Sequence, residues 1–357
     1  MRDRSNSDAP LVSVVLPTYD RPALVRKAVA SVGTQTYPNV ELLVVDDCSP
    51  TPVKQALEEL SLGSSITLRV LRHEENRGGN AARNTGIRVA AGEYVAFLDD
   101  DDRWHPEKFD RQVRAFRESS PAVGAVCVGQ RFVDDRGETT QLRMPSASGD
   151  VTEVVLRGAT LGLFSTLMVR ADVIEAVGFP DERFPAWQDR EWHVRLSQEG
   201  DYEAIRELLA IRHIGSHGRI NDDYDGHREA GRLYSDKYRS FAARYGWATE
   251  RKFAANVYGG VAGTALAAGR YDDCARYSLR ALRNDPRRPG DSPAWSSGSA
   301  ALVSTNSSGP PVDDTIGSVN RRLRGVRSPT SRLGTDARSA RRRGRSGSSA
   351  PKVPAER

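Results

Sequence analysis

The sequence predicts an α/β protein, a mostly parallel sheet flanked by helices with a helical extension toward the C-terminal end. Two observations predict the sheet. Short β-branched runs alternate with helix-like stretches through about the first 120 residues. Their strand–helix–strand spacing suits right-handed crossovers within one sheet. A third, the long charged amphipathic pattern at His227–Tyr245, predicts the extension.

The runs Leu11–Leu16, Val40–Val45, Ile66–Leu71 and Tyr94–Leu98 have the length and composition of buried strands. Between them, Pro22–Val32 carries proline at its start, Pro52–Leu60 follows, and Gly79–Ala91 is Ala-rich and stops at Gly92. Pro106–Glu118 predicts a further helix. Beyond Pro121 the pattern loosens. Val123–Val133 and Leu161–Val169 read as strands, Ala171–Val177 as a short helix, Asp189–Gln198 as a helix ending before Gly200, and Asp201–His213 as a closing strand. Phe253–Pro286 reads as a helical hairpin whose residues 267–286 resemble one tetratricopeptide-type unit. One such unit cannot bury its face alone, so a cap on the main domain is expected.

Composition bounds the function. A chain of 357 residues holds one large domain or two ordinary ones. Its 38% hydrophobic content, which leaves out 31 glycines, suffices for a core. The net charge of +5 is uneven: residues 285–357 hold 14 Lys/Arg against 6 Asp/Glu, and the preceding part is net acidic. A nucleic-acid-binding class therefore draws no support from the folded part. From Arg287 onward Ser, Gly, Pro and Arg dominate without apolar periodicity, which predicts a disordered basic tail over 287–357. Its Arg341–Arg345 cluster could meet anionic lipid or RNA, with a solvated tail as the plainer reading.

Cys48, Cys127 and Cys274 are too few and too widely spaced for a disulfide framework or a CxxC metal pair, as in a reducing compartment. The stretch Met1–Asp8 is charged and has no signal-peptide core. Phe253–Gly269 is too short and polar for a spanning helix. The expectation is a cytoplasmic protein, at most resting on the cytoplasmic face of a membrane. It divides into a flexible 1–10, an α/β domain over 11–222, the extension over 223–286 and the tail.

Four acids, Asp99 to Asp102, follow the fourth strand. In open α/β sheets ligands gather at the C-terminal ends of strands. Like charges packed this closely are unfavourable unless a cation neutralises them. Carboxylates two residues apart can share a hard ion such as Mg²⁺ or Mn²⁺, which commonly completes its shell with waters and phosphates. A solvated acidic turn is the alternative. A second acidic pair, Asp46 and Asp47, ends another strand. It also fits a phosphorylation receiver, but such domains need a lone Asp where four stand here. In Asn76–Gly86, glycines lead into an Ala-rich helix and Arg83 supplies a planar fork suited to phosphate.

Taken in order, Ser13–Tyr19, Val44–Ser49, Asn76–Gly86 and Phe97–Lys108 closely resemble a family 2 glycosyltransferase. The resemblance runs from about Val12 to Ile220 and is strongest over the first half. It implies the GT-A fold, a Rossmann-like nucleotide-binding sheet. It further implies that Pro17, Thr18, Tyr19 and Asp46 hold the nucleotide, with Asp46 on base and ribose and Arg83 beside the donor. Asp99 and Asp101 would be the DxD pair, Asp101 nearest a divalent cation, Mn²⁺ or Mg²⁺. Commoner family sequences carry a small residue where Asp100 stands.

Pro185–Trp192 lies where the family has Glu-Asp followed by an aromatic and a helix. Asp189 matches the catalytic base and Glu191 the later acid, while Gln188 departs from the usual Glu. A helix N-cap is the other reading of Asp189. Past the last strand, His213 and His217 compete for the place of a histidine near the diphosphate or metal, and His217 is taken as the metal candidate.

The implied reaction is inverting transfer of a sugar, a hexose, from a nucleoside diphosphate sugar to a hydroxyl of an acceptor glycan, lipid-linked acceptors included. It would serve cell-surface or glycoprotein glycan assembly, with peripheral membrane contact and no nucleic acid. Two alternatives stand beside it. A sugar nucleotidyltransferase would need a Gly-rich basic loop after the first strand, which Pro17–Arg21 is not. A non-catalytic sugar-nucleotide-binding protein on the same fold would accommodate Gln188 and the fused acidic run.

Overall fold

The computed structural model describes residues 9–214 and 223–286. In chain order the strands are β1 (Val12–Thr18), β2 (Val40–Asp46), β3 (Ile66–Arg72), β4 (Tyr94–Phe97), β5 (Asp102–Trp104), β6 (Val123–Asp134), β7 (Thr139–Arg143), β8 (Leu167–Arg170) and β9 (Asp201–Ile214). The helices are α1 (Pro22–Gly33), α2 (Val53–Leu57), α3 (Gly79–Val89), α4 (Lys108–Glu118), α5 (Thr152–Leu156), α6 (Ala171–Val177), α7 (Gln188–Glu199), α8 (Tyr224–Arg244), α9 (Trp247–Ala267) and α10 (Tyr271–Asn284).

All nine strands form one mixed sheet in the order β3-β2-β1-β4-β8-β6-β9-β5, with β7 on β6. The first half is parallel: β1 pairs β2 and β4, and β2 pairs β3. β1, β2 and β4 are buried along their whole length, as strands covered on both faces must be. The second half is mostly antiparallel. β8 runs against β4 and β6, and β5 against β9, while β6 and β9 are parallel.

Alternation along β1 sorts the core. Val12, Val14 and Leu16 face one apolar layer with Val25, Val29, Phe109 and Val113 of α1 and α4. Val15 faces the other with Ile87 of α3, Trp192 of α7, Tyr234 and Tyr238 of α8, and Phe253 of α9. The C-terminal helices thus share a core with the sheet. Each fully buried aromatic of that layer contributes about 1.5–3 kcal/mol relative to exposure. Helix α3 lies so close to β1 that a Cβ on Gly86 would fall 2.5 Å from Val15 Cγ1, which requires glycine there.

Four local readings shift. β5, three residues long, and β7, short and polar, carry too little pattern to be seen as strands. The strand expected over Leu161–Val169 begins only at Leu167, because Phe164–Thr166 closes a 3₁₀ turn first. The helical hairpin starts six residues earlier than expected, at Trp247. The tail from Arg287 lies outside the described residues. No helix among the described residues is long and apolar enough to cross a membrane.

Candidate active site

The C-terminal ends of β1 and β4 meet α3 around a cavity of about 260 Å³. Pro17, Thr18 and Tyr19 line one side and Arg83, Asp99, Asp100 and Asp101 another, with Arg212 from β9 and Asp47 completing it. Strand register puts the acids there: β4 ends at Phe97 opposite Val15, so the acids that follow leave the sheet beside the last residues of β1.

The four acids do different things. Asp99 Oδ1 accepts from Arg83 Nη2 at 2.5 Å. Asp100 turns the other way, where its Oδ2 accepts from Thr18 Oγ1 at 2.8 Å and its Oδ1 from Arg21 at 3.1 Å. Burial raises Asp100 to about 6 despite those partners. Asp102, 1% exposed on β5, keeps Oδ1 without a hydrogen-bond partner. Burial first, then the Asp101 charge, pushes its carboxyl well above the usual range. Carboxylate oxygens of Asp99, Asp101 and Asp102 lie within 4.8 Å of one another.

The acidic pair at the end of β2 is also divided, and not as expected. Asp46 is fully engaged in the loop: it accepts from Ser49 N at 2.8 Å, from Val53 N at 3.1 Å and from Arg72. It is 1% exposed and absent from the cavity wall. Asp47 lines the cavity instead, accepting from Gly78 N at 2.7 Å and Arg77 N at 2.9 Å and meeting His73 Nδ1 at 2.7 Å. β2 is buried on both faces, so no polarity pattern separates the two neighbours in sequence.

Arg83 is held from several sides. Besides Asp99 it donates from Nη1 to Gln188 Oε1 at 3.0 Å, and its guanidinium stacks 4.1 Å over Phe164. Gln188 therefore supports the arginine rather than handling a proton.

Asp189 sits inside the first turn of α7, which begins at Gln188 with Trp187 as its N-cap, so Asp189 is not the cap. It does not line the cavity, but it is electrostatically linked to both Arg143 and Arg212. Trp187 adopts φ 56°, a left-handed conformation unusual for a bulky residue. Its indole lies in a notch between α8 and α9, where a Cβ on Gly260 would fall 2.9 Å from Cζ2 and one on Gly231 3.3 Å from Cη2. The extension thus fixes the turn that delivers Asp189.

Glu191 belongs to the scaffold. It is fully buried and accepts from Arg195 at 2.8 Å, Lys237 at 2.9 Å and Tyr238 OH at 2.7 Å. Although burial works against it, these partners hold its carboxyl below the usual range. On β9, Arg212 faces the cavity, so His213 faces away by alternation, with Nδ1 3.9 Å from Asp135. His217 lies outside the described residues.

Arg212 is a site residue that sequence reasoning missed. Burial opposes its charge, but Asp102, Asp101, Asp99 and Asp189 raise its pKa. Only the β5–β9 ladder, Asp102 opposite Arg212, brings it to the acids, more than a hundred residues along the chain.

Residues 13–175 match Glycosyl transferase family 2. The chain is 38% identical over 113 residues to the putative teichuronic acid biosynthesis glycosyltransferase TuaG of Bacillus subtilis, an overlap of 32% of this chain and 44% of that one. It is 32% identical over 197 residues to glycosyltransferase AglE of Haloferax volcanii, covering 54% of this chain and 64% of that one. It therefore spans less than two thirds of these curated relatives. The structure of S. aureus TarS 1-349 in complex with UDP-GlcNAc superposes with TM-score 0.52 at 17% identity, covering 78% of this chain and 93% of that one, a likeness of fold. The matched segment runs from β1 into α6 and carries most of the acid-lined cavity. On these grounds residues 13–175 are a glycosyltransferase family 2 segment, and the sheet has the GT-A-like fold of its structural neighbour.

Proposed function

We propose that this chain transfers a sugar, a hexose, from a nucleoside diphosphate donor to an acceptor hydroxyl with inversion, catalysis residing in residues 11–222. The observation that carries this is the division of the acids. Asp99, Asp101 and Asp102 converge beside the cavity with two arginines, Arg83 and Arg212, while Asp100 is drawn off by Thr18 and Arg21. Similarity to a protein named for teichuronic acid biosynthesis supports cell-surface glycan assembly as the context.

The acidic cluster fits a divalent cation. Three hard oxygen ligands sit within reach of one ion, and the orphaned, buried Asp102 Oδ1 is a group whose charge such an ion would satisfy. Asp99, Asp101 and Asp102 would hold it, and when bound it would neutralise charge gathering on the diphosphate leaving group.

The chain's own residues do the rest. Pro17, Thr18, Tyr19 and Asp47 wall the nucleotide part of the cavity. Arg83, fixed by Gln188 and Asp99, presents positive charge where the diphosphate lies, which needs no reorganisation as the bond breaks. Asp189 takes the acceptor proton from the opposite side, help typically worth ~10²–10⁴ in rate.

A panel of UDP- and GDP-sugars screened with Mn²⁺ for donor hydrolysis tests the reading. At least one donor is expected to be hydrolysed, with activity abolished by EDTA. No hydrolysis of any donor together with no Mn²⁺-dependent nucleotide binding would refute it. Nucleotide sugar formed from a sugar 1-phosphate and a nucleoside triphosphate would favour a nucleotidyltransferase.

A further inference from the structure

We infer that Arg143 and Arg212 form an anion-binding subsite next to the donor cavity, so that the acceptor carries a negative charge, either a phosphate ester or a carboxylate. The subsite itself rests on geometry. Naming its ligand an acceptor rests on the transferase reading above.

Register places the two arginines. Arg143 pairs with Gln130 across β7 and β6, Arg212 pairs with Phe132 across β9 and β6, and Asp102 pairs with Arg212 across β5 and β9. Gln130 and Phe132 are two apart on one strand, so all these side chains share one face of the sheet. Two contacts agree: the Arg143 guanidinium lies 5.0 Å over the Phe132 ring, and Gln130 Nε2 reaches Asp102 Oδ2 at 3.4 Å. Arg212 lines the donor cavity and Arg143 does not. Arg143 therefore lies outside the cavity wall, across β6 from Arg212.

Among the described residues neither guanidinium has a hydrogen-bond or close ion-pair partner, although both are half-buried and the Arg212 charge acts on Arg143. Burial, then Arg212, pulls Arg143 below its ordinary value, with Asp189 opposing. Two like charges in partial desolvation are unfavourable without a counter-ion. Around Arg212 the charge is offset by Asp102, Asp101, Asp99 and Asp189, whereas Arg143 has Asp189, one carboxylate that in the proposed reaction must face a hydroxyl. The Arg143 guanidinium, seated over Phe132, carries the N–H fork that binds phosphate or carboxylate bidentately. An anion there would be gripped while a hydroxyl of the same molecule approached Asp189.

The test uses the full chain loaded with Mn²⁺ and UDP, so that the donor site is filled. Glycerol 3-phosphate, glucuronate and glycerol are titrated by calorimetry into wild type and Arg143→Gln. Wild type is expected to bind one of the two anions at least 10-fold more tightly than glycerol. Arg143→Gln should erase that preference while UDP affinity stays within about twofold, and Arg143→Lys should restore part of it. Binding of glycerol 3-phosphate alone indicates a phosphorylated acceptor, and of glucuronate alone an acidic sugar. Equal affinity for anions and glycerol, or an anion preference that survives in Arg143→Gln, overturns the subsite. If UDP fails to bind with Mn²⁺, the donor reading is what fails. The anions are then titrated alone, with the same two outcomes for the arginine pair.

Discussion

Gln188 Oε1 accepts a hydrogen bond from Arg83 Nη1 at 3.0 Å, so the residue preceding the proposed base holds the arginine that is paired to Asp99. This one contact joins the acid cluster at the end of β4 to the first turn of α7. Gln188→Ala should leave Arg83 with a buried, unsatisfied donor and reduce donor hydrolysis about tenfold, a loss of the size expected for a hydrogen bond to a charged group. Gln188→Glu, which keeps an acceptor oxygen at that place, should retain more activity than the alanine variant. Steady-state rates with the preferred donor decide this, and equal losses in both would refute the supporting role of Gln188.

Asp189→Asn removes the proposed base and keeps its shape. Transfer should fall ~10²–10⁴-fold, the range of general-base help. Donor affinity measured by calorimetry should stay within about twofold, because Asp189 does not line the cavity. Loss of donor binding in this variant would reassign Asp189 to the donor site.

Mn²⁺ should raise the melting temperature of wild type in the presence of UDP, since a ligand bound only by the folded state stabilises it. EDTA should reverse the shift. Asp101→Ala, which removes one of three converging carboxylates, should abolish the Mn²⁺-dependent part of the shift. A shift of wild-type size in that variant would move the ion elsewhere.

Glu191 ties α7 to α8 through Arg195, Lys237 and Tyr238. Its carboxyl titrates below the ordinary value, so the folded state releases that proton more readily than the unfolded chain. Its stabilisation is fully present above about pH 4.3, the unfolded value, and is lost as pH falls through the lower folded one. Glu191→Gln should cost about 3 kcal/mol at pH 7, as for a broken buried pair. The gap to wild type should narrow below pH 4 in denaturant titrations, and a gap independent of pH would count against the ion-pair account.

Gly260→Val intrudes on the Trp187 indole, whose Cζ2 lies 2.9 Å from the position of a Cβ there. Displacing Trp187 should disturb the turn before Asp189. We expect transfer to fall at least tenfold while Mn²⁺-dependent UDP binding persists, because the donor cavity is built by other elements. Equal loss of both would mean that the substitution merely unfolds the chain.

Much of the parallel half could be read directly. Strands such as Val40–Asp46 announce themselves because both faces are buried and five of the seven residues are apolar. The acid run could be located at a strand end for the same reason. β5 and β7 could not, since three residues or a polar alternation carry no periodic signal. Asp46 and Asp47 are chemically identical neighbours, and only the fold of the loop, with Ser49, Val53 and Arg72 closing on Asp46, decides which one faces the cavity.

By itself the sequence determined the strand–helix alternation, the placing of acids at strand ends and the family 2 resemblance of the first half, because these are properties of contiguous residues. Tertiary structure alone decided how those acids divide their work: Asp100 to Thr18 and Arg21, Asp102 opposite Arg212, Gln188 on Arg83. Each of these pairs joins residues some eighty to more than a hundred positions apart. Side-chain charge does not say which partner will lie within 3 Å; strand register and helix packing do.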